Sequence, residues 1–162
     1  MALREWMELA SYAVTVFGLP FAIWVFFSQQ RKERENEEEE AYLLLSASYN
    51  EFLKLVLANP DLKLRTERLT PDLSDEQRER MLVIFEMLVS LFERAYLLLW
   101  EPHLEAKPLR RWNSWEDYMR EWVRREDFRV LLPRLLQGED SEFSDFMRRI
   151  AAEEAGAPHA SA

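Results

Sequence analysis

Apolar residues follow two different patterns along the chain. Residues 9–27, LASYAVTVFGLPFAIWVFF, form an uncharged run of 19, whereas beyond residue 41 apolar positions recur three and four apart among charged ones. Nineteen residues of helix are roughly 28 Å long at about 1.5 Å per residue, the thickness of a bilayer's hydrocarbon core. Ten of them are Leu, Ile, Val or Phe, enough to outweigh Ser11, Thr15, Gly18 and Pro20 on insertion. The pattern predicts an N-terminal transmembrane anchor over residues 1–30. A cleaved signal peptide fits less well: the leading MALREWMELA is mixed in charge, and FFSQQRK lacks a small-x-small cleavage site.

The flanks predict how the span sits. Arg4 is the one basic residue before it, while Arg31, Lys32 and Arg34 follow directly, so the bulk of the chain is expected in the cytoplasm and the N-terminus outside. Trp6 and Trp24, with Arg31 and Lys32, are the expected interface anchors. Ser11, Thr15, Gly18 and Ala22 are spaced 4, 3 and 4 apart, which puts four small residues on one narrow face. That face suits close approach of a partner span, although small residues are common in such helices and chance gives the same alignment. Pro20 is expected to kink the helix.

After the span, RKERENEEEE turns from basic to acidic and reads as a solvated stalk helix, continuing over residues 31–58 with Leu45, Ser48, Phe52, Leu55 and Val56 on its inner face. Residues 59–73, with two prolines, read as a linker. A helical bundle is expected over 74–153 and a small-residue tail over 154–162. Ser74 and Gln77 give a capping box before MLVIFEMLVSLFERAYLLLW, apolar on most of its circumference and so the expected central helix, with Leu82, Phe85, Val89, Phe92, Tyr96 and Leu99 as its main stripe. A third helix is expected from Asn113 or Ser114. A short fourth over 128–136 is expected to break or kink at Pro133 and to close at Gly138, and a last one to be capped by Ser141. No segment alternates with period two, so the fold class is all-α: one transmembrane helix running into a stalk and a small cytoplasmic bundle.

Composition narrows the chemistry. Without cysteine there is no thiolate metal site, iron–sulfur cluster or cysteine nucleophile. Three glycines cannot assemble a P-loop or dinucleotide fingerprint, and two histidines exclude the paired Glu-x-x-His signature of di-iron bundles. Glu101, His103 and Glu105 read as a polar turn rather than a metal site. A net charge of −9 disfavours nucleic acid as a partner. Glu86 and Glu93, seven apart on the central helix, would form an acid–base pair only inside a cleft; a solvent-edge or ion-paired role fits better. Trp112, Trp115 and Trp122 are candidates for a pocket or a cytoplasmic partner surface, with core packing as the competing reading of their helical spacing. No catalytic, cofactor-binding or metal-binding residues are expected.

Phe92-Glu93-Arg94-Ala95-Tyr96-Leu97, Trp112-x-x-Trp115-x-x-Tyr118, Arg124-Arg125-x-x-Phe128 and Phe143-x-x-Phe146 together resemble a diffuse group of uncharacterised bacterial proteins with one N-terminal span and a small helical cytoplasmic domain. The resemblance implies structural charges at Glu93 and Arg94, an aromatic packing core and no catalytic residues. The expected function is that of a non-catalytic, single-pass accessory or assembly subunit in the bacterial inner membrane. Its partners would be the bilayer and other transmembrane subunits, with a respiratory or photosynthetic complex as the first host to check. The alternative is a membrane-tethered regulatory or defence module that binds a ligand or cytosolic protein through its helical domain.

Overall fold

The computed structural model describes the backbone of residues 2–156 and the side chains of residues 20–34 and 36–156. All regular structure among them is helical, as expected: α1 (Ala2–Ala58), a 3-10 turn at Pro60–Leu62, α2 (Asp75–Leu99), α3 (Ala106–Val123), α4 (Glu126–Leu135) and α5 (Ser141–Gly156). The chain divides after Ala41 into two compact units.

The first unit is the leading part of α1, which continues through Pro20 as helix. Phe21, Ile23, Trp24, Phe26 and Phe27 are exposed there, as are Ala22, Arg31 and Lys32. The side chains of Trp6, Ser11, Thr15 and Gly18 lie outside the described residues, and so do those of most of the expected span. Among the described residues, no helix is long and apolar enough to cross a membrane.

The second unit is built around α2, which packs against α3, α4 and α5. Its start is set by the expected capping box: the Gln77 N–H donates to Ser74 Oγ at 3.2 Å, and the Ser74 N–H to Gln77 Oε1 at 2.9 Å. Phe85, Val89, Phe92 and Tyr96 face inward from it, with Ile84, Leu88 and Ala95 beside them, whereas Leu82 and Leu99 are only half-buried. The end of α1 contributes Leu45, Phe52 and Val56, and also Tyr49, which the sequence pattern had not singled out.

Aromatic rings fill the interior. Tyr49 stacks on Tyr118 at 4.5 Å and meets Trp115 edge-on, Phe85 meets Phe128 at 5.0 Å, and Trp100 meets Trp112 at 5.1 Å. Rings arranged edge-to-face and offset add about 0.5–1.5 kcal/mol per pair beyond the area they bury. The indole N–H groups find partners: Trp122 Nε1 donates to the Tyr49 hydroxyl, and Trp112 Nε1 to Glu116, both at 3.2 Å.

Four local expectations are corrected. Helix α3 begins at Ala106 rather than Asn113, because Pro108 lies in its first turn, where a missing N–H costs little. Ser114 donates back to the Arg110 carbonyl within that helix instead of capping it. Pro133 does not break α4, which it enters only in the last turn. The cap of α5 is Asp140, whose carboxylate accepts from the Glu142 and Phe143 N–H groups at 2.9 Å, with Ser141 already helical.

Candidate functional site

The segment between α1 and α2 is fastened at two places by arginines. At its start Arg80 reaches back from α2 to Asn59 Oδ1 at 2.8 Å and Asp61 Oδ2 at 2.9 Å. A hydrogen bond from Gln77 holds the Asp61 carboxyl below its usual range against the opposing effect of desolvation, and Arg80 adds to the lowering. At its middle lies Arg125, 2% exposed, in the short junction between α3 and α4. Its Nη1 donates to the carbonyls of Lys63 and Thr66 at 2.7 and 2.8 Å, its Nη2 to Thr70 Oγ1 at 2.9 Å, and Asp127 supplies the counter-charge at 2.5 Å. A buried charge persists only when so partnered, and here the partners are backbone groups of a loop that has no ladder of its own. Leu62, Leu64 and Leu73 are buried alongside, so residues 59–73 form a wall of the bundle rather than a free linker.

That wall bounds a cleft of about 660 Å³. Leu69, Pro71 and Leu73 form one side, Met81 and Leu82 of α2 the base, and Val130 and Leu131 of α4 the other side. Thr70, Asp72, Arg78, Glu79, Glu126, Asp127 and Arg134 complete the lining. Asp72 adopts a left-handed backbone, φ 56°, a conformation that costs a non-glycine residue about 1 kcal/mol and that aspartate tolerates better than most. A shallower trough runs between α1 and α2, lined by Leu55, Met87 and Leu91 with Glu86 and Arg94.

The residues suggested by sequence do not gather at this cleft. Trp112, Trp115 and Trp122 are at most 2% exposed and are packed into the aromatic core, so they present no surface to a partner. Glu86 is exposed on α2. Glu93 is half-buried and accepts from the Asp140 N–H at 2.5 Å. Beside it the Glu139 carboxyl is pushed up to about 7, by desolvation first, and then by its hydrogen bond to Glu93 and that neighbour's charge. The pair fastens the α4–α5 turn to α2. Glu101, His103 and Glu105 are all exposed, and among the described residues no group of three or more His, Cys, Asp or Glu is placed to hold a metal ion.

A second charged cluster joins α3 to α5. Arg120 binds Glu116 at 2.7 Å, Glu153 at 2.8 Å and Glu154 at 3.3 Å, and Arg124 binds Glu154 at 2.8 Å. Desolvation alone would lower the Arg120 pKa, but these three carboxylates raise it overall. The hydrogen bond from Arg124 holds the Glu154 carboxyl low against desolvation, with Arg120 adding to it. Such a cluster fixes helix against helix and leaves no free acid or base.

The cleft and the buried Arg125 were both missed at the sequence level, although Arg125 stands in the Arg124-Arg125-x-x-Phe128 string. The available signal was an arginine placed between two helical apolar patterns. No family model matches the chain, and searches of curated proteins and of solved structures return no significant match.

Proposed function

We propose that this chain is a non-catalytic, single-pass membrane protein whose helical domain works by docking, as an accessory or assembly subunit of a larger membrane complex. The observation that carries the reading is the uncharged run over residues 9–27, whose described part turns Phe21, Ile23, Trp24, Phe26 and Phe27 outward on a helix. Arg31, Lys32 and Arg34 follow at once and favour a cytoplasmic second unit with the N-terminus outside. Ser11, Thr15, Gly18 and Ala22 offer a face for a partner span.

A non-catalytic role is supported by the state of the acidic groups: Glu93 is tied to the Asp140 N–H, Glu154 is ion-paired and Glu86 lies on an exposed surface. The tethered regulatory reading stays in play because of the apolar cleft, an observation independent of the tryptophans first considered for it.

The test uses the absence of cysteine. Single cysteines introduced at residue 3 and at Leu57 are labelled in intact cells and after lysis with a reagent that does not cross membranes. Labelling of residue 3 from outside and of Leu57 only after lysis, with the chain resisting carbonate extraction, is the expected result. Extraction of the chain by carbonate overturns the anchor. Purification in mild detergent followed by mass spectrometry then separates a stoichiometric complex, respiratory and photosynthetic hosts being checked first, from a lone protomer.

A further inference from the structure

We infer that the cleft between the 69–73 wall, α2 and α4 is a docking groove for a partner protein's segment that carries apolar side chains flanked by basic ones. The inference rests on the docking reading above but not on the anchor.

Two observations choose the occupant. The first is shape. Val130, on one side, is 74% exposed, and Leu69, on the other, is 46% exposed. Enclosed small-molecule sites bury most of their ligand, and walls this open do not. An apolar β-branched residue standing in water at the lip of an apolar trough is instead what an interface core looks like before its partner arrives.

The second observation is charge. Of the two arginines at the rim, Arg78 is engaged by Asp75 at 2.8 Å, and of the four carboxylates, Asp127 is engaged by Arg125. Among the described residues no cation is paired with Asp72, Glu79 or Glu126, against an equally unpaired Arg134 on the positive side. The rim therefore carries excess negative charge around an apolar floor. Basic residues flanking an apolar stripe would steer association and fix its register. The groove is also pre-formed: buried Arg125 holds residues 63–70 by four hydrogen bonds, two to backbone carbonyls and two to threonine hydroxyls, and Asp72 keeps its unusual backbone at the lip. A site that needs no ordering on binding loses less entropy there.

The test uses the full chain in nanodiscs of a zwitterionic lipid and two fluorescent 14-residue helical peptides with the same leucine stripe, one with lysine flanks and one with glutamate flanks. Empty nanodiscs give the background. The lysine peptide is expected to bind about tenfold more tightly than the glutamate peptide. Val130→Gln, at a site too exposed to disturb the fold, is expected to weaken it by about tenfold. Glu79→Gln with Glu126→Gln should weaken it several-fold and flatten its salt dependence, while Leu57→Glu, outside the lining, leaves it unchanged. Equal affinity for the two peptides, binding that survives Val130→Gln, or nothing above empty nanodiscs overturns the inference. A chain that fails to enter nanodiscs marks failure of the anchor instead, and the same titration is then read on the chain in buffer.

Discussion

Phe21, Trp24 and Phe27 in the first unit are each at least 60% exposed, whereas Phe85, Trp112 and Trp115 in the second are at or below 1%. The residue types are the same and their surroundings opposite. Each large apolar side chain left in water forgoes about 2 kcal/mol of burial. The second unit buries three of its four tryptophans, whereas all the described aromatics of the first unit are exposed. The contrast separates a unit with an aromatic core of its own from a segment whose described apolar side chains have no protein to pack against within this chain.

The comparison breaks most sharply in the core. Trp115→Ala removes a ring in contact with Tyr49, Phe92 and Tyr118 and should cost about 4 kcal/mol in denaturant unfolding of the second unit, with membrane association unchanged. Arg125→Leu should cost about 3 kcal/mol, because Asp127 and the carbonyls of Lys63 and Thr66 stay behind without their donor. Proteolysis within residues 63–70 is the more specific readout. In the first unit the double change Phe21→Asp with Ile23→Asp should leave the unfolding midpoint of the bundle untouched, yet shift membrane insertion by about 2 kcal/mol, seen as chain lost to the soluble fraction. Loss of bundle stability in that variant would mean that the exposed residues are packing residues after all.

Smaller effects sharpen the picture. Ser74→Ala should cost about 1 kcal/mol through the lost cap of α2. The Glu139 carboxyl, raised in the fold, binds its proton more tightly there than in the unfolded chain, so its contribution is fully present below the unfolded pKa and fades as pH rises toward about 7. Glu139→Gln should therefore flatten the decline in stability between pH 5 and about 8, by no more than about 1 kcal/mol since solvent screens a half-exposed pair. Glu154 has the opposite sign: its lowered carboxyl supports the fold at neutral pH, and that support is lost as pH falls through its folded value.

How much of this could be read from the residues depends on the range of the interaction. Short-range signals served well: the Ser74–Gln77 box sets the start of α2, and Phe85, Val89, Phe92 and Tyr96 are inward as their spacing predicts. Where two local signals competed, the weaker reading sometimes won. The sequence places the start of α3 at Asn113 or Ser114 although the helix already begins at Ala106 with Pro108 in its first turn, and Ser141 reads as a cap where Asp140 stands one residue earlier. Periodicity has no way to flag Arg125, because a charged residue between helices is ordinarily exposed; only backbone carbonyls some sixty positions earlier make it an interior residue. The cleft was hidden for the same reason, since it is assembled from three stretches distant in sequence.

The fastening of residues 63–70 by Arg125 also orders events in time. That stretch has little regular structure of its own, and its chief ties are made to a residue that leaves a ribosome long after it. During synthesis those ties cannot form until the α3–α4 junction has emerged. In the finished protein the same tie makes the order of residues 63–70 depend on one side chain rather than on a ladder of their own. Amide exchange would register Arg125→Leu as opening confined to that stretch and the rim of the groove, while the helices behind it stay protected.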